Sequence, residues 1–87
     1  MTALEEELAL WLESAGDPAS AQAAFEARYG ADAQRRFQRA GRALAYLRAH
    51  HEPLRAAGLV ALGEKPGDLR LAPRFAAELA ALCDRDP

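Results

Sequence analysis

The sequence is poor in cysteine, in long apolar runs and in catalytic motifs, and each shortage excludes a class of protein. The single cysteine, Cys83, excludes an internal disulfide and a four-thiolate metal site within one chain. No apolar stretch approaches the roughly 20 residues of a membrane-spanning helix, and no basic leader with a long apolar run begins the chain. We therefore expect no membrane partner and a location in the cytoplasm.

Motifs for catalysis and cofactor binding are also missing. No serine, histidine and acid stand in an arrangement that suggests a catalytic triad. Gly63 and Gly67 bracket a turn and do not open a helix at the spacing that cradles a phosphate. His50 and His51 are adjacent and would point about 100° apart on a helix, so they do not share one metal ion. We expect a protein that is not an enzyme and binds no cofactor or metal.

Charge is distributed unevenly along the chain. Hydrophobic residues make up 51% of the 87 residues and charged residues 28%, which is the balance of a folded globular domain. The first 27 residues contain six acids and no base, whereas residues 28–55 contain seven arginines and two acids. The net charge of −2 therefore hides an acidic beginning and a basic middle. The length predicts a single domain over residues 1–87.

Apolar residues at helical spacing, with capping residues in front of them, predict four helices. Thr2 and Glu5 form a capping box at the beginning of the first helix, and Gly16 ends it. Asp17 and Asp32 are expected to cap the second and third helices. The apolar stripe of the first helix consists of Leu4, Leu8, Trp11 and Leu12. Such a stripe faces the core, so we expect the only tryptophan to be buried.

The third helix is expected to run to about His51, because Pro53 ends or kinks it. Pro73 begins the last helix. The buried face of that helix is expected to consist of Phe75, Leu79, Leu82 and Cys83.

Two short runs between the third and last helices, residues 59–62 and 69–71, suit strands. Residues 65–68 fit a type II turn that places Gly67 at positive φ. The predicted fold class is therefore mainly α, a compact helical domain of about four helices with one short β-hairpin. A two-stranded hairpin is barely stable alone, so we expect it to pack on the helices.

A row of arginines is the first candidate site. Arg35, Arg39 and Arg42 lie at helical spacing on one face of the third helix, with Arg36 beside them and Tyr46 at the end of the row. Guanidinium groups present a planar fork of donors that suits phosphate, so the row is a candidate nucleic-acid-binding surface. The alternative is a solvated helix face whose arginines pair with the acids of the first helix.

The hairpin contributes two further cations. Lys65 stands at the Pro-Gly tip, and Arg70 lies on the strand that follows. Both are candidates for contact with a nucleic-acid backbone, and the alternative is an ordinary exposed turn.

The order of these elements resembles a winged helix-turn-helix domain. Residues 54–62, Leu-Arg-Ala-Ala-Gly-Leu-Val-Ala-Leu, followed by a loop and by residues 69–73, Leu-Arg-Leu-Ala-Pro, look like the end of a recognition helix, a wing and the next helix. The link of residues 29–32 suits a helix-turn-helix corner. The resemblance covers about residues 18–75 and implies a nucleic-acid-binding module, such as a transcriptional regulator. The long third helix and Pro53 depart from that pattern, so the resemblance does not identify which helix, if any, would enter a groove of the DNA.

Two functions follow from these features. The first is a small non-enzymatic module that binds duplex DNA through the arginine row and the wing. The second is a protein-interaction or dimerisation domain with no nucleic acid, which the acidic total and the alanine-rich helices favour. Its partner would be a second copy of the chain or another protein.

Overall fold

The computed structural model describes residues 2–84 and is mainly α-helical with one antiparallel hairpin, as predicted. The helices are α1 (Ala3–Glu13), α2 (Pro18–Tyr29), α3 (Ala33–Ala49), α4 (His51–Ala56) and α5 (Pro73–Asp84). The strands are β1 (Val60–Ala61) and β2 (Arg70–Leu71), and short 3₁₀ turns span Gly30–Asp32 and Pro66–Asp68. Across residues 2–84, every helix is too short or too polar to span a lipid bilayer.

The predicted caps at the beginning of the first two helices are confirmed. The Thr2 hydroxyl accepts from the Glu5 backbone N–H at 3.3 Å, and the Glu5 carboxylate accepts from the Thr2 N–H at 2.6 Å. The helix α1 ends at Glu13, three residues before the predicted Gly16, and the chain then turns through Ala15 at φ +53° and Gly16 at φ +74°. The Asp17 carboxylate then caps α2 by accepting from the Ser20 N–H at 3.1 Å.

The beginning and end of α3 differ from the prediction. Asp32 does not cap the helix through its side chain, because its carboxylate accepts from two arginine side chains instead. The helix ends at Ala49 and not at His51, and α4 begins immediately after His50. Pro53 explains the position of this break. It lacks an N–H to donate to the Ala49 carbonyl, and its ring crowds that carbonyl four residues earlier, so Pro53 lies within the first turn of a new helix.

The hairpin is shorter than predicted, and its turn is of another type. Val60 pairs with Leu71 and Ala61 with Arg70. Gly67 is not among the glycines with positive φ, so the type II assignment is wrong. The Asp68 carboxylate accepts from the Lys65 N–H at 3.1 Å, and the Asp68 N–H donates to the Lys65 carbonyl at 2.9 Å. These two bonds close a 3₁₀ turn, which needs only negative φ.

The core lies between α1, α2, α3 and α5, and the hairpin turn packs on α1 as expected. Leu8 and Phe25 are fully buried, and the indole of Trp11 stacks on Phe37 at 4.8 Å between ring centroids. The burial predicted for Trp11 is therefore confirmed. Leu82 was expected in the core but is 52% exposed, because Ala76, Leu79 and Cys83 form the inner face of α5. The buried set also includes two acids and one arginine.

Candidate functional site

The arginine row of α3 faces an acid of α1. Glu7 is completely buried, and Arg39 is 8% exposed. The Nε of Arg39 donates to one oxygen of the Glu7 carboxylate at 3.1 Å, and its Nη2 donates to the other oxygen. The Nη1 of Arg36 donates to the same carboxylate at 2.9 Å. The two guanidinium groups thus neutralise a carboxylate that water does not reach.

Acids also occupy the outer side of the row. Arg35 donates to Asp32 at 3.1 Å and to Asp84, in the last turn of α5, at 3.0 Å. Arg36 bonds the other oxygen of Asp32 at 2.7 Å, and Arg39 reaches Asp84 at 3.1 Å. Hydrogen bonds from Arg35 and Arg36 hold the pKa of the Asp32 carboxyl below its usual value. The row therefore joins α1, α3 and α5 through ion pairs.

Arg42 completes the row without an acid partner within residues 2–84. Its Nη1 donates to the backbone carbonyl of Cys83 at 2.9 Å, near the end of α5, where unpaired helix carbonyls accept cations. The alternative prediction, pairing of the arginines with the first helix, is confirmed for Arg36 and Arg39. The contribution of Arg35, Arg36, Arg39 and Arg42 to nucleic-acid binding stays a prediction.

The two hairpin cations lie apart from these ion pairs. Arg70 turns back on its own loop, where its Nη1 donates to the carbonyls of Gly67 at 2.7 Å and Leu69 at 2.8 Å. Lys65 is exposed at the tip. Behind the hairpin, the Leu71 N–H donates to the carboxylate of Glu5 at 2.9 Å. Burial disfavours the charged form of Glu5, but the bonds from Thr2 and Leu71 outweigh burial and lower the pKa of this carboxyl.

The outward face of α3 carries a polar strip. A shallow cleft on this face is lined by Gln34, Arg35, Gln38, Arg42 and Asp84. The two glutamines are exposed and alternate along the helix with the two arginines. Side-chain amides and guanidinium groups both present hydrogen-bond donors, so this strip is the polar part of the row that solvent reaches.

A second surface feature is an apolar groove between the hairpin and the helices, which we call the hairpin groove. It is an open cavity of about 320 Å³ lined by Leu12, Leu44, Leu47, Arg48, His51, Val60, Leu62 and Leu69. A neighbouring cavity of about 260 Å³ shares Leu12 and Leu62 and continues along the hairpin loop to Pro66. Leu62 is 55% exposed at the junction of the two cavities. Six aliphatic side chains, one guanidinium group and one imidazole thus line the groove. Its volume is in the range of sites that bind small ligands or the side chains of a peptide.

Sequence reasoning missed Glu7 as a buried partner and the hairpin groove as a site. The signal for Glu7 was its position three residues after Leu4 and four before Trp11, on the apolar stripe itself. An acid on such a stripe requires a buried cation. The signal for the groove was Leu62, which lies two residues after Val60 in the predicted strand of residues 59–62 and so on the same predicted face.

Two further candidates are the Cys83 thiol and a cluster of metal-binding side chains. Burial raises the pKa of the Cys83 thiol, so its reactive thiolate is disfavoured. Among residues 2–84, no three side chains of histidine, cysteine, aspartate or glutamate gather as metal ligands. Comparison of the chain with family models, with curated proteins and with solved structures gives no match. The functional interpretation therefore rests on the geometry of the arginine row and the hairpin groove.

Proposed function

We propose that this chain is a protein-interaction domain that binds an apolar segment of a protein partner in the hairpin groove. The observation that carries the proposal is the groove itself, with Leu62 exposed beside an aliphatic floor. Within residues 2–84, only Leu62 and Leu82 are large hydrophobic side chains with more than half of their surface exposed. A concave apolar surface with a few polar groups at its edge is the usual form of a binding site, and Leu62 extends the apolar surface of this one.

The ion pairs of the arginine row support this choice over the nucleic-acid function. A guanidinium group that already bonds two carboxylates is held in place, is partly neutralised and has fewer N–H donors left for phosphate. Arg35, Arg36 and Arg39 are all in this state, and Glu7, the one partner that Arg36 and Arg39 share, has no access to water. Three of the seven arginines of residues 28–55 thus already bond carboxylates within the fold.

The test is selection of binding peptides followed by one matched pair of variants. A displayed library of random 12-residue peptides is selected on the full chain, and the affinity of each selected peptide is measured by fluorescence anisotropy. Leu62→Glu is expected to weaken binding at least tenfold, because it places a charge at the mouth of the groove. Leu82→Glu is the control, since Leu82 is equally exposed but lies on α5 outside the groove. Peptides that bind both variants equally, or a library that gives no binder, would refute the proposal.

Nucleic-acid binding is a second candidate, and the polar strip of α3 is the observation that favours it. Arginine and glutamine are the side chains that make paired hydrogen bonds to guanine and adenine in the major groove. Gln34, Arg35, Gln38 and Arg42 present both types on one exposed face. In the winged-helix arrangement, Lys65 at the hairpin tip would contact the phosphate backbone as the wing.

This second candidate predicts salt-dependent binding to random-sequence duplex DNA. On such a duplex, where no base sequence is selected, Arg35, Arg42 and Lys65 would contact phosphates, and three such contacts predict a loss of affinity of about 40-fold between 50 and 200 mM salt. The double variant Arg35→Glu/Arg42→Glu is expected to abolish binding, whereas Arg74→Glu, on exposed α5 surface, is expected to preserve it. Arg39 is left unchanged, because reversing its charge beside Glu7 would unfold the protein. An absence of binding at 50 mM salt would refute this function.

A further inference from the structure

Arg48 is the charged side chain that lines the hairpin groove. Arg48, on the last turn of α3, and His51, at the beginning of α4, are its two polar lining residues, and no acid lines it. Arg48 forms none of the ion pairs found within residues 2–84, in contrast to Arg35, Arg36 and Arg39. The groove therefore presents a cation that the rest of the described fold does not neutralise.

The shape of the groove suits side chains of a helix better than an added strand. Each strand of the hairpin has only two residues, so its edge offers too few backbone groups for a partner strand. A volume of about 320 Å³ is roughly twice the cavity that admits one benzene molecule. The groove thus accommodates about two large apolar side chains, which an amphipathic helix presents one turn apart.

We propose that the partner segment is an acidic amphipathic helix, whose apolar residues fill the hairpin groove and whose carboxylates meet Arg48 and His51. This inference rests on the proposed protein-interaction function and specifies its partner. Charge complementarity speeds encounter and selects among partners that share the same apolar pattern. Glu64 lies beyond the groove in the neighbouring cavity, next to Lys65, so the charge along the hairpin loop is balanced there.

The test uses three synthetic 14-residue peptides on the full chain. Two carry leucine at positions 4, 7, 8 and 11 and differ only in flanking glutamates or flanking lysines. The third keeps the glutamates and replaces the leucines with serine. The acidic leucine peptide is expected to bind about tenfold more tightly than the basic one, with a preference that weakens as salt rises. The serine peptide is expected not to bind.

Two charge variants locate the preference. Arg48→Glu is expected to reverse the preference for the acidic peptide. Arg55→Glu is the matched control, because Arg55 is an exposed cation on α4 that does not line the groove, and it is expected to keep the preference.

The outcomes separate this inference from the function on which it rests. Equal binding of the acidic and basic peptides, lost in Leu62→Glu, would refute the acidic partner and leave the interaction function intact. If none of the three peptides binds while peptides selected from the library do, the acidic partner is refuted and the interaction function stays intact. Failure of all three together with an empty library selection would refute both. Binding of the serine peptide as tightly as the acidic leucine peptide would show surface attraction without the groove and would also refute the inference.

Discussion

Glu7 and Arg39 form a buried ion pair between α1 and α3. A carboxylate with no access to water is strongly destabilised unless a cation compensates it, and here two guanidinium groups do so. Such a pair adds little stability compared with an apolar pair of the same shape, but it is costly to break. At the scale of one residue, the pair therefore fixes which face of α3 meets α1.

Replacing Glu7 with glutamine is expected to lower the free energy of unfolding by about 3–5 kcal/mol. The reason is that Arg39 remains buried and keeps only the partly exposed Asp84 as a counter-charge. The measurement is urea unfolding followed by circular dichroism. Glu13→Gln is the control, because Glu13 is an exposed acid of the same helix, and its effect is expected to stay within about 0.5 kcal/mol. Equal effects of the two variants would contradict the structural role of the pair.

The sequence predicted the helix caps, but it did not predict the buried ion pair of Glu7 and Arg39. Thr2, Glu5 and Asp17 act through neighbours three residues away, so a short stretch of sequence contains the whole interaction. Glu7 and Arg39 are 32 residues apart, and nothing local specifies that they meet. Asp32 was assigned a local role, but arginines of the next turn compete for its carboxylate and replace the backbone N–H as donors.

At the scale of the elements, proline and glycine set where the chain turns. Pro53 places the break between α3 and α4 at His50. Gly58, two residues after the end of α4, has φ +74°. The hairpin turn depends on Asp68 instead of Gly67, because the Asp68 carboxylate accepts from the loop backbone. The periodicity of the sequence predicted the helices and the hairpin. A turn type depends on a single hydrogen bond, and the Pro-Gly pair did not reveal the bond between Asp68 and the Lys65 N–H.

Alanine substitutions distinguish these two glycines. Gly58→Ala is expected to lower the free energy of unfolding by about 1–2 kcal/mol, because alanine resists the left-handed conformation. Gly67→Ala is expected to leave stability unchanged or to raise it by up to about 1 kcal/mol, since its φ is not positive and its Cβ would meet no atom within 4 Å. Thermal and urea unfolding of both variants checks this. A loss of stability in Gly67→Ala as large as the loss in Gly58→Ala would contradict the 3₁₀ turn and support the type II turn.

At the scale of the whole molecule, opposite charges in the first and middle segments meet inside the fold. The sequence showed the segregation of charge, but the contact between α1 and α3 decides that much of it is used for packing. What stays available to partners is the polar strip of α3 and the hairpin groove, which are lined by different residues. The groove was not predictable, because its walls come from α1, α3, α4 and the hairpin together.

The most direct test of the groove as the functional site is a nuclear magnetic resonance titration. The acidic leucine peptide is added to the ¹⁵N-labelled chain, and the backbone amide shifts are followed. If the groove is the binding site, we expect saturable shifts at Leu12, His51 and Leu62, no comparable shifts at Gln34 and Gln38, and loss of all shifts in Leu62→Glu. Shifts confined to the polar strip of α3, or shifts that persist unchanged in Leu62→Glu, would contradict it.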